Sequence, residues 1–272
     1  MTAGASRAPL SVTAVLDETV DVVSAAAPWT AIVIVTGLPY RFLQLVFIER
    51  LIELGAEAKH YANALGMLAT ITVIAFAISI AGRAVWIRVC GLAQKRAAIR
   101  TADAFRVAPA ALLSYLYTSA LIATLDYSIW ITIVAIPLLI VVAGLAAGTM
   151  ELNERPSLAQ PLRLIARYAK NARTVTALLF AFAVALLIAL INLYAVFAIA
   201  LWLAHAFASA DLSRWDVLLS LSNGHFVGLL IAGAVVAVEP FWLAANVVLV
   251  RKAGAAESGD DLRHRLEELT AR

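Results

Sequence analysis

The sequence contains few charged residues, which make up 14% of its 272 residues, against roughly 25% in a typical soluble domain. Cysteine occurs once, as Cys90, which excludes a disulfide within the chain. The familiar signatures of nucleotide, metal and nucleophile sites are also missing, since there is no Walker loop, Gly-rich dinucleotide turn, HExxH motif or nucleophile elbow. The sequence therefore predicts no enzyme, no catalytic residue, no cofactor and no bound metal.

Apolar residues are abundant instead, at 63% of the chain, and the mean hydropathy is +0.90. A bilayer core about 30 Å thick requires roughly 20 apolar residues in one helix. Six segments meet this requirement: 29–48, 64–87, 107–125, 128–150, 174–203 and 225–250. We therefore predict an all-α, polytopic membrane protein with six transmembrane helices.

Two of the apolar runs are longer than one bilayer crossing requires. The run 107–150 would be about 66 Å long as a single helix, at about 1.5 Å per residue. Asp126 is its only charged residue, so we predict that the chain turns at residues 125–128. The run 174–208 requires either a strong tilt or an end that projects from the membrane.

The N-terminal segment 10–27 ends in an Ala-rich stretch, as signal peptides do, but Asp17, Glu18 and Asp21 interrupt its apolar part. We therefore predict that it is retained as an amphipathic helix on the membrane surface. Its apolar residues recur at helical spacing, at Val12, Val15, Leu16, Val20 and Val23.

Similar amphipathic segments at 97–108 and 157–172 precede the third and fifth predicted helices. Each of the three segments leads into a helical hairpin, a pattern typical of a threefold internal repeat. The alternative is the plain alternation of loops and helices that any multi-spanning protein has. The sequence leaves both interpretations open.

The distribution of Lys and Arg indicates the orientation of the chain. Seventeen of these residues fall on one side of the predicted membrane. The other side receives four: Arg41, Arg50, Lys59 and Arg214. Because cytoplasmic loops carry the excess, we predict a cytoplasmic segment at 1–28, a transmembrane domain at 29–250 and a cytoplasmic tail at 251–272. The same placement explains the net charge of +3 without a nucleic-acid partner.

Three segments resemble a known group of bacterial membrane proteins. They are LSVTAVLDETV at 10–20, ELNERPSLAQPLRLIAR at 151–167, and EPFWLAANVVLVRK at 239–252, which is followed by ESGDDLR at 257–263. These segments look like the membrane domain of glycerophosphoryl diester phosphodiesterases and the related stand-alone six-helix proteins. The phosphodiesterases carry a separate catalytic domain that has no counterpart in this sequence. The resemblance thus implies a bacterial inner-membrane domain without the enzyme.

Arg41 and Glu239 are the ionisable residues most clearly inside predicted spans. Counted from the cytoplasmic ends of their helices, both lie about 17–18 Å into the membrane, at about 1.5 Å per residue. Unpaired charge is costly in lipid, so we predict an intramembrane pair between the first and sixth helices. The pair can be structural, or it can form a substrate or proton site.

Prolines accompany this pair, since Pro39 and Pro240 lie next to it in sequence. A proline frees a backbone carbonyl and kinks a helix, which could open a polar pocket that includes Tyr40 and Asn246. The alternative is that proline is simply frequent in membrane helices.

Gly144 and Gly148 have the small-xxx-small spacing that allows close packing of helices, within the protein or in a homo-oligomer. His60, His205 and His225 map to one side near several carboxylates, but no two have ligand spacing on one helix, so we predict no metal site. Tryptophans near the predicted span ends are expected to be interfacial anchors: Trp29, Trp86, Trp130, Trp202 and Trp215.

From the sequence alone we expect an accessory or scaffold membrane protein that acts through lipids or protein partners. One alternative is a small transporter with a polar site around Arg41 and Glu239, which would require a cavity reaching the middle of the membrane. The other is an enzyme that modifies lipids within the membrane, which would gather several ionisable side chains at one depth.

Overall fold

The computed structural model describes residues 11–55, 60–96, 98–129, 171–207 and 213–258. Every regular element in these ranges is helical, so the predicted all-α class is confirmed there. The elements are α1 Val12–Ala25, a 3-10 turn Ala27–Trp29, α2 Thr30–Leu54, α3 Ala62–Gln94, α4 Thr101–Phe105, α5 Pro109–Ile129, α6 Ala172–Phe207, α7 Ser213–Leu218 and α8 Gly224–Ser258.

Four helical stretches in the described part are long and apolar enough to cross a membrane. They are Ala27–Leu54, Ala62–Gln94, Ala172–Phe207 and Gly224–Ala255. Even the shortest, with 28 residues, is about 42 Å long at about 1.5 Å per residue. These stretches contain the first, second, fifth and sixth predicted spans, and they are compatible with a multi-pass membrane protein.

The turn predicted at residues 125–128 is wrong, because α5 continues through all four residues to Ile129. The reason is that one aspartate leaves the backbone hydrogen bonds of a helix intact, whereas Gly or Pro would weaken or break them. The fourth predicted span, 128–150, falls almost entirely outside the described residues. Gly144 and Gly148, the predicted packing pair, lie there too.

The N-terminal helix α1 forms where amphipathic spacing predicts it. Ser11 caps its first turn, since its Oγ accepts a hydrogen bond from the Ala14 amide at 3.5 Å. The buried face differs from the predicted one, because Thr19 is buried whereas Val20 is 55% exposed. The buried residues follow helical spacing, at Val15, Thr19, Val22 and Ala26.

The second amphipathic segment is shorter than predicted. Within the described residues 98–108 the one helix is α4, a single turn of five residues, in which Ala104 is buried and Phe105 is exposed. So short a helix has no continuous apolar face. The third segment, at 157–172, falls outside the described residues except for its last two.

The chain divides into two units, and unit 1 comprises the described residues among Met1–Ala27, Ala84–Phe180 and Phe241–Arg272. Its core includes Trp86, which is fully buried and therefore is not the interfacial anchor that the sequence predicts. Polar contacts tie α1 into this unit. Glu18 pairs with Lys252 Nζ at 2.8 Å and accepts a hydrogen bond from the Gln94 amide.

Unit 2 comprises the described residues among Pro28–Arg83 and Ala181–Pro240. Here α2 and α3 approach closely at Gly82. A Cβ atom at that position would overlap Thr36 Oγ1 and lie 3.0–3.1 Å from the Thr36 Cβ and Cγ2 atoms. Only glycine fits without a shift of the neighbouring helix, and this approach sets the position of the next residue, Arg83.

Candidate functional site

A cluster of buried charged residues lies in unit 2, where three apolar helices each contribute a polar side chain. Arg41 comes from α2, Arg83 from α3 and Glu239 from α8. A charged side chain on a helix that crosses hydrocarbon is costly without a partner. These three side chains are therefore expected to face partners within the protein.

Glu239 is the centre of this cluster. Its Oε1 atom lies 2.6 Å from Arg83 Nη2 and 3.7 Å from Arg41 Nη2. The first distance is that of a close ion pair, whereas the second lies near the upper limit for an ion pair. The side chains of Glu239 and Arg83 are 8% and 9% exposed, so this pair is buried within the protein.

Arg41 occupies the more open side of the cluster, with 27% of its side chain exposed. Its Nη1 atom donates a hydrogen bond to Gln44 Oε1 at 3.1 Å, one helical turn further along α2. Gln44 is itself buried. Arg41 thus has one neutral acceptor on its own helix, in addition to a carboxylate that lies closer to Arg83.

The ring of Tyr40 borders both guanidinium groups. The Cζ atom of Arg41 lies 5.3 Å from the ring centroid, and that of Arg83 lies 5.9 Å from it. Both distances are within the range in which a ring face attracts a cation. Tyr40 is buried and packs against Phe76 with the ring centroids 5.2 Å apart. The aromatic pair therefore forms an apolar wall beside the cations.

α2 passes close to the carboxylate at Gly37. A Cβ atom at Gly37 would lie 3.5 Å from Glu239 Oε2, in ordinary van der Waals contact. That oxygen is buried and has no hydrogen-bond partner in the described part of the chain. Pro39 and Pro240 lie inside their helices next to these residues, and neither can donate a backbone hydrogen bond.

The structure thus places Arg41 and Glu239, the two residues that the sequence singles out, 3.7 Å apart. Sequence reasoning missed Arg83, because it counts Arg83 among the cytoplasmic cations. One signal was available in the sequence, because Arg83 lies inside the predicted span 64–87. In the structure α3 continues for eleven residues beyond Arg83, to Gln94. An arginine inside a span requires a partner by the same argument as Arg41.

The other two predicted pocket residues belong to different units. Asn246 lies in unit 1, where it is buried and its side-chain amide donates to the Trp242 carbonyl at 2.8 Å on the same helix. Tyr40 lies in unit 2 beside the two arginines. The pocket that would join them stays a prediction.

Histidine pairs in unit 2 are separate from this cluster. His205 Nε2 lies 2.9 Å from Asp216 Oδ1, and His225 Nδ1 lies 3.1 Å from Glu49 Oε2. All four side chains are about one-third to one-half exposed, and pairs of this kind contribute little to stability. No group of three or more metal-ligating side chains occurs within the described ranges.

Comparison of the chain with protein-family models, with curated proteins and with solved structures finds no match. The function must therefore be argued from the chemistry and exposure of this chain's own residues.

Proposed function

We propose that this protein is an accessory or scaffold component of a bacterial inner membrane and acts through lipids or protein partners. The observation that supports the proposal is the exposure of its long apolar helices. In the most apolar windows of α3 and α6, 17% of the residues are buried, against 56% in α8. Helices so apolar and so little covered offer wide faces to lipid or to other membrane helices.

The exposed face of α6 has a shape suited to such contacts. A shallow groove of about 270 Å³ runs along it, and its lining is mainly aromatic and aliphatic. The residues from α6 follow helical spacing: Tyr194, Phe197, Ala198, Leu201, Trp202 and His205. A groove of this volume has room for part of an acyl chain or for side chains of a neighbouring apolar helix.

The charged cluster supports the same role from the inside. Arg41 and Arg83 both lie within ion-pair distance of Glu239 inside unit 2. Because these charges face each other, the outer faces of the helices can stay apolar. A scaffold requires this combination of a fixed interior and an open apolar exterior.

The topology that we propose has six spans, arranged as three helical hairpins, with both termini in the cytoplasm. It rests on the apolar segments and on the excess of Lys and Arg on one side. It also agrees with the resemblance to the membrane domain of glycerophosphoryl diester phosphodiesterases. In this proposal the chain performs the membrane role of such a domain and none of the hydrolysis.

Photocrosslinking along α6 tests the scaffold role. A photoreactive amino acid is placed at Ile188 or Ile191, both more than half exposed, and at the buried Leu178 on the same helix as the control. We expect discrete protein adducts, or one enriched lipid class, from the exposed sites in intact membranes, and none from Leu178. Adducts that only mirror bulk lipid composition at every exposed site would contradict the proposal.

A further inference from the structure

The groove on α6 is apolar along most of its length and charged at one end. Its lining residues on α6 extend from Tyr194 to His205, which is about 16 Å along the helix at about 1.5 Å per residue. Between these two residues the lining is aromatic and aliphatic. At His205 it becomes polar, because His205 Nε2 lies 2.9 Å from Asp216 Oδ1 on α7. A phospholipid has the same distribution of polarity, with an apolar chain joined to a charged headgroup.

One wall of the groove is fixed by contact with α8. Phe197 packs edge-on against Phe226 of α8, with the ring centroids 5.5 Å apart, and Phe226 is buried. Trp202, which also lines the groove, is 67% exposed and lies one residue before the end of the predicted span 174–203. Exposed tryptophans at span ends are typical of the headgroup region. We therefore expect the charged end of the groove, at His205, to lie at headgroup depth.

The size of the groove favours an acyl chain over a helix as its occupant. A helix with its side chains is about 10–12 Å across, so a length equal to that of the groove occupies more than about 1,200 Å³. The groove holds about 270 Å³. Part of a hydrocarbon chain can lie along it, whereas a helix could insert only individual side chains.

The charges at the end of the groove favour one kind of headgroup. With Asp216 ionised, the pair is negative when His205 is neutral and uncharged when His205 is protonated. It therefore attracts an ammonium group rather than an anionic headgroup. A primary ammonium can donate three hydrogen bonds to such acceptors, whereas a quaternary ammonium has no N–H to donate. The Asp216 side chain is 48% exposed, so a headgroup can reach it.

We propose that the groove of α6 binds one phospholipid with a primary-ammonium headgroup. An acyl chain lies against Phe197 and Leu201, and the ammonium lies at Asp216. This inference rests on the proposed contact of α6 with lipid, and it deepens that proposal by naming the class of lipid and the residues that bind it.

Thermal unfolding of the purified full-length chain in detergent tests the headgroup, because a ligand that binds the folded state raises the melting temperature. Phosphatidylethanolamine, phosphatidylcholine and phosphatidylglycerol with identical acyl chains are titrated separately. We expect phosphatidylethanolamine to stabilise the chain in a saturable way. Its half-saturating concentration should be lower than those of the other two lipids by about fivefold, the equivalent of one net hydrogen bond. Equal half-saturating concentrations for the three lipids would overturn the proposal.

Ala198→Trp tests the apolar part of the site, because the larger side chain would fill the groove that Ala198 lines. Ala200→Trp is the matched control. Ala200 is also exposed on α6, but it lies about 200° around the helix from Ala198. We expect A198W to raise the half-saturating concentration of all three lipids by about fivefold or more, and A200W to leave it unchanged. An equal response of A198W and A200W would contradict binding in the groove.

Asp216→Asn tests the charged end, since asparagine keeps the size of the side chain and removes its charge. Arg214→Gln is the control, because it removes a charge from the same short helix α7. D216N should lose the preference for phosphatidylethanolamine over phosphatidylcholine, and R214Q should keep it. A preference that persists in D216N would overturn the role of Asp216. The crosslinking sites Ile188 and Ile191 lie outside the groove lining, so their failure would count against the scaffold role while these titrations decide the groove.

Discussion

Glu239 on α8 holds Arg83 on α3 at 2.6 Å, and this buried contact joins two apolar helices through a charged pair. A charge is costly in hydrocarbon without a partner, and this contact gives Arg83 and Glu239 a partner of opposite charge. Arg41 is the third member of the cluster and depends on the same carboxylate at a longer distance. This unequal sharing determines which substitutions should be tolerated.

Glu239→Gln should be strongly destabilising. It removes the carboxylate that lies 2.6 Å from Arg83 and 3.7 Å from Arg41, and breaking a buried pair from one side costs about 3–5 kcal/mol. The yield of folded protein in detergent and its melting temperature should both fall. Glu53→Gln, which breaks an exposed pair on α2, is the control and should change stability by less than about 0.5 kcal/mol. Equal stability of the two variants would contradict the assigned role of Glu239.

Gly82→Ala should destabilise unit 2, because the new Cβ overlaps Thr36 on the facing helix. Overpacking of this kind costs about 1–3 kcal/mol. Gly66→Ala is the control on the same helix, since nothing lies within 4 Å of its added Cβ. There the higher helix propensity of alanine should leave stability unchanged or raise it by up to about 1 kcal/mol. Melting temperatures that move together would show that α2 and α3 are not in close contact at Gly82.

The contact between Glu18 and Lys252 should hold α1 in unit 1. Both side chains are about one-third exposed, so Glu18→Gln should cost about 1 kcal/mol or less in global stability. Its local effect should be larger, because the carboxylate serves Gln94 with one oxygen and Lys252 with the other, whereas glutamine has a single acceptor oxygen. Amide exchange in α1 should accelerate in E18Q and stay unchanged in the exposed control Asp17→Asn. Equal exchange in both variants would show that this contact does not hold the helix.

The proposed orientation can be tested by thiol labelling on intact cells. Cys90 is fully buried, so it should resist labelling on either side and cannot report topology. It is replaced by Ala so that each variant carries a single cysteine. Cysteines at the exposed positions Ser213 and Lys95 are suitable instead. An impermeant reagent should label S213C and spare K95C until the membrane is opened. The reverse pattern would overturn the orientation derived from Lys and Arg.

Sequence reasoning is most successful for the fold where apolar length alone decides. In the described part of the chain, four helical stretches of 28–36 residues coincide with predicted spans, because lipid requires a long apolar segment whatever its packing. It fails at residues 125–128, where polar residues are taken to indicate a turn. The segment contains no Gly or Pro that would end the helix, and α5 continues through it. It also misplaces Trp86, since proximity to a span end does not reveal whether a side chain faces lipid or the core.

The candidate site is only half predictable for a related reason. The cost of a charge in lipid identifies Arg41 and Glu239 without any structure. That Arg83 lies nearer to Glu239 than Arg41 does is a result of tertiary packing. The close approach of α2 and α3 at Gly82 positions Arg83. Arg83 lies towards the basic end of α3, where composition alone cannot separate a buried cation from a headgroup-facing one.

Double-mutant cycles on the buried cluster test the central claim most directly. Unfolding free energies are measured for E239Q, R83Q, R41Q and the doubles E239Q/R83Q and E239Q/R41Q. The coupling energy of Glu239 with Arg83 should be the larger, at about 2–3 kcal/mol, and that with Arg41 should be nearer 1 kcal/mol or below. The double E239Q/R83Q should therefore recover more of the E239Q loss than E239Q/R41Q does. A coupling near zero between Glu239 and Arg83 would contradict the account.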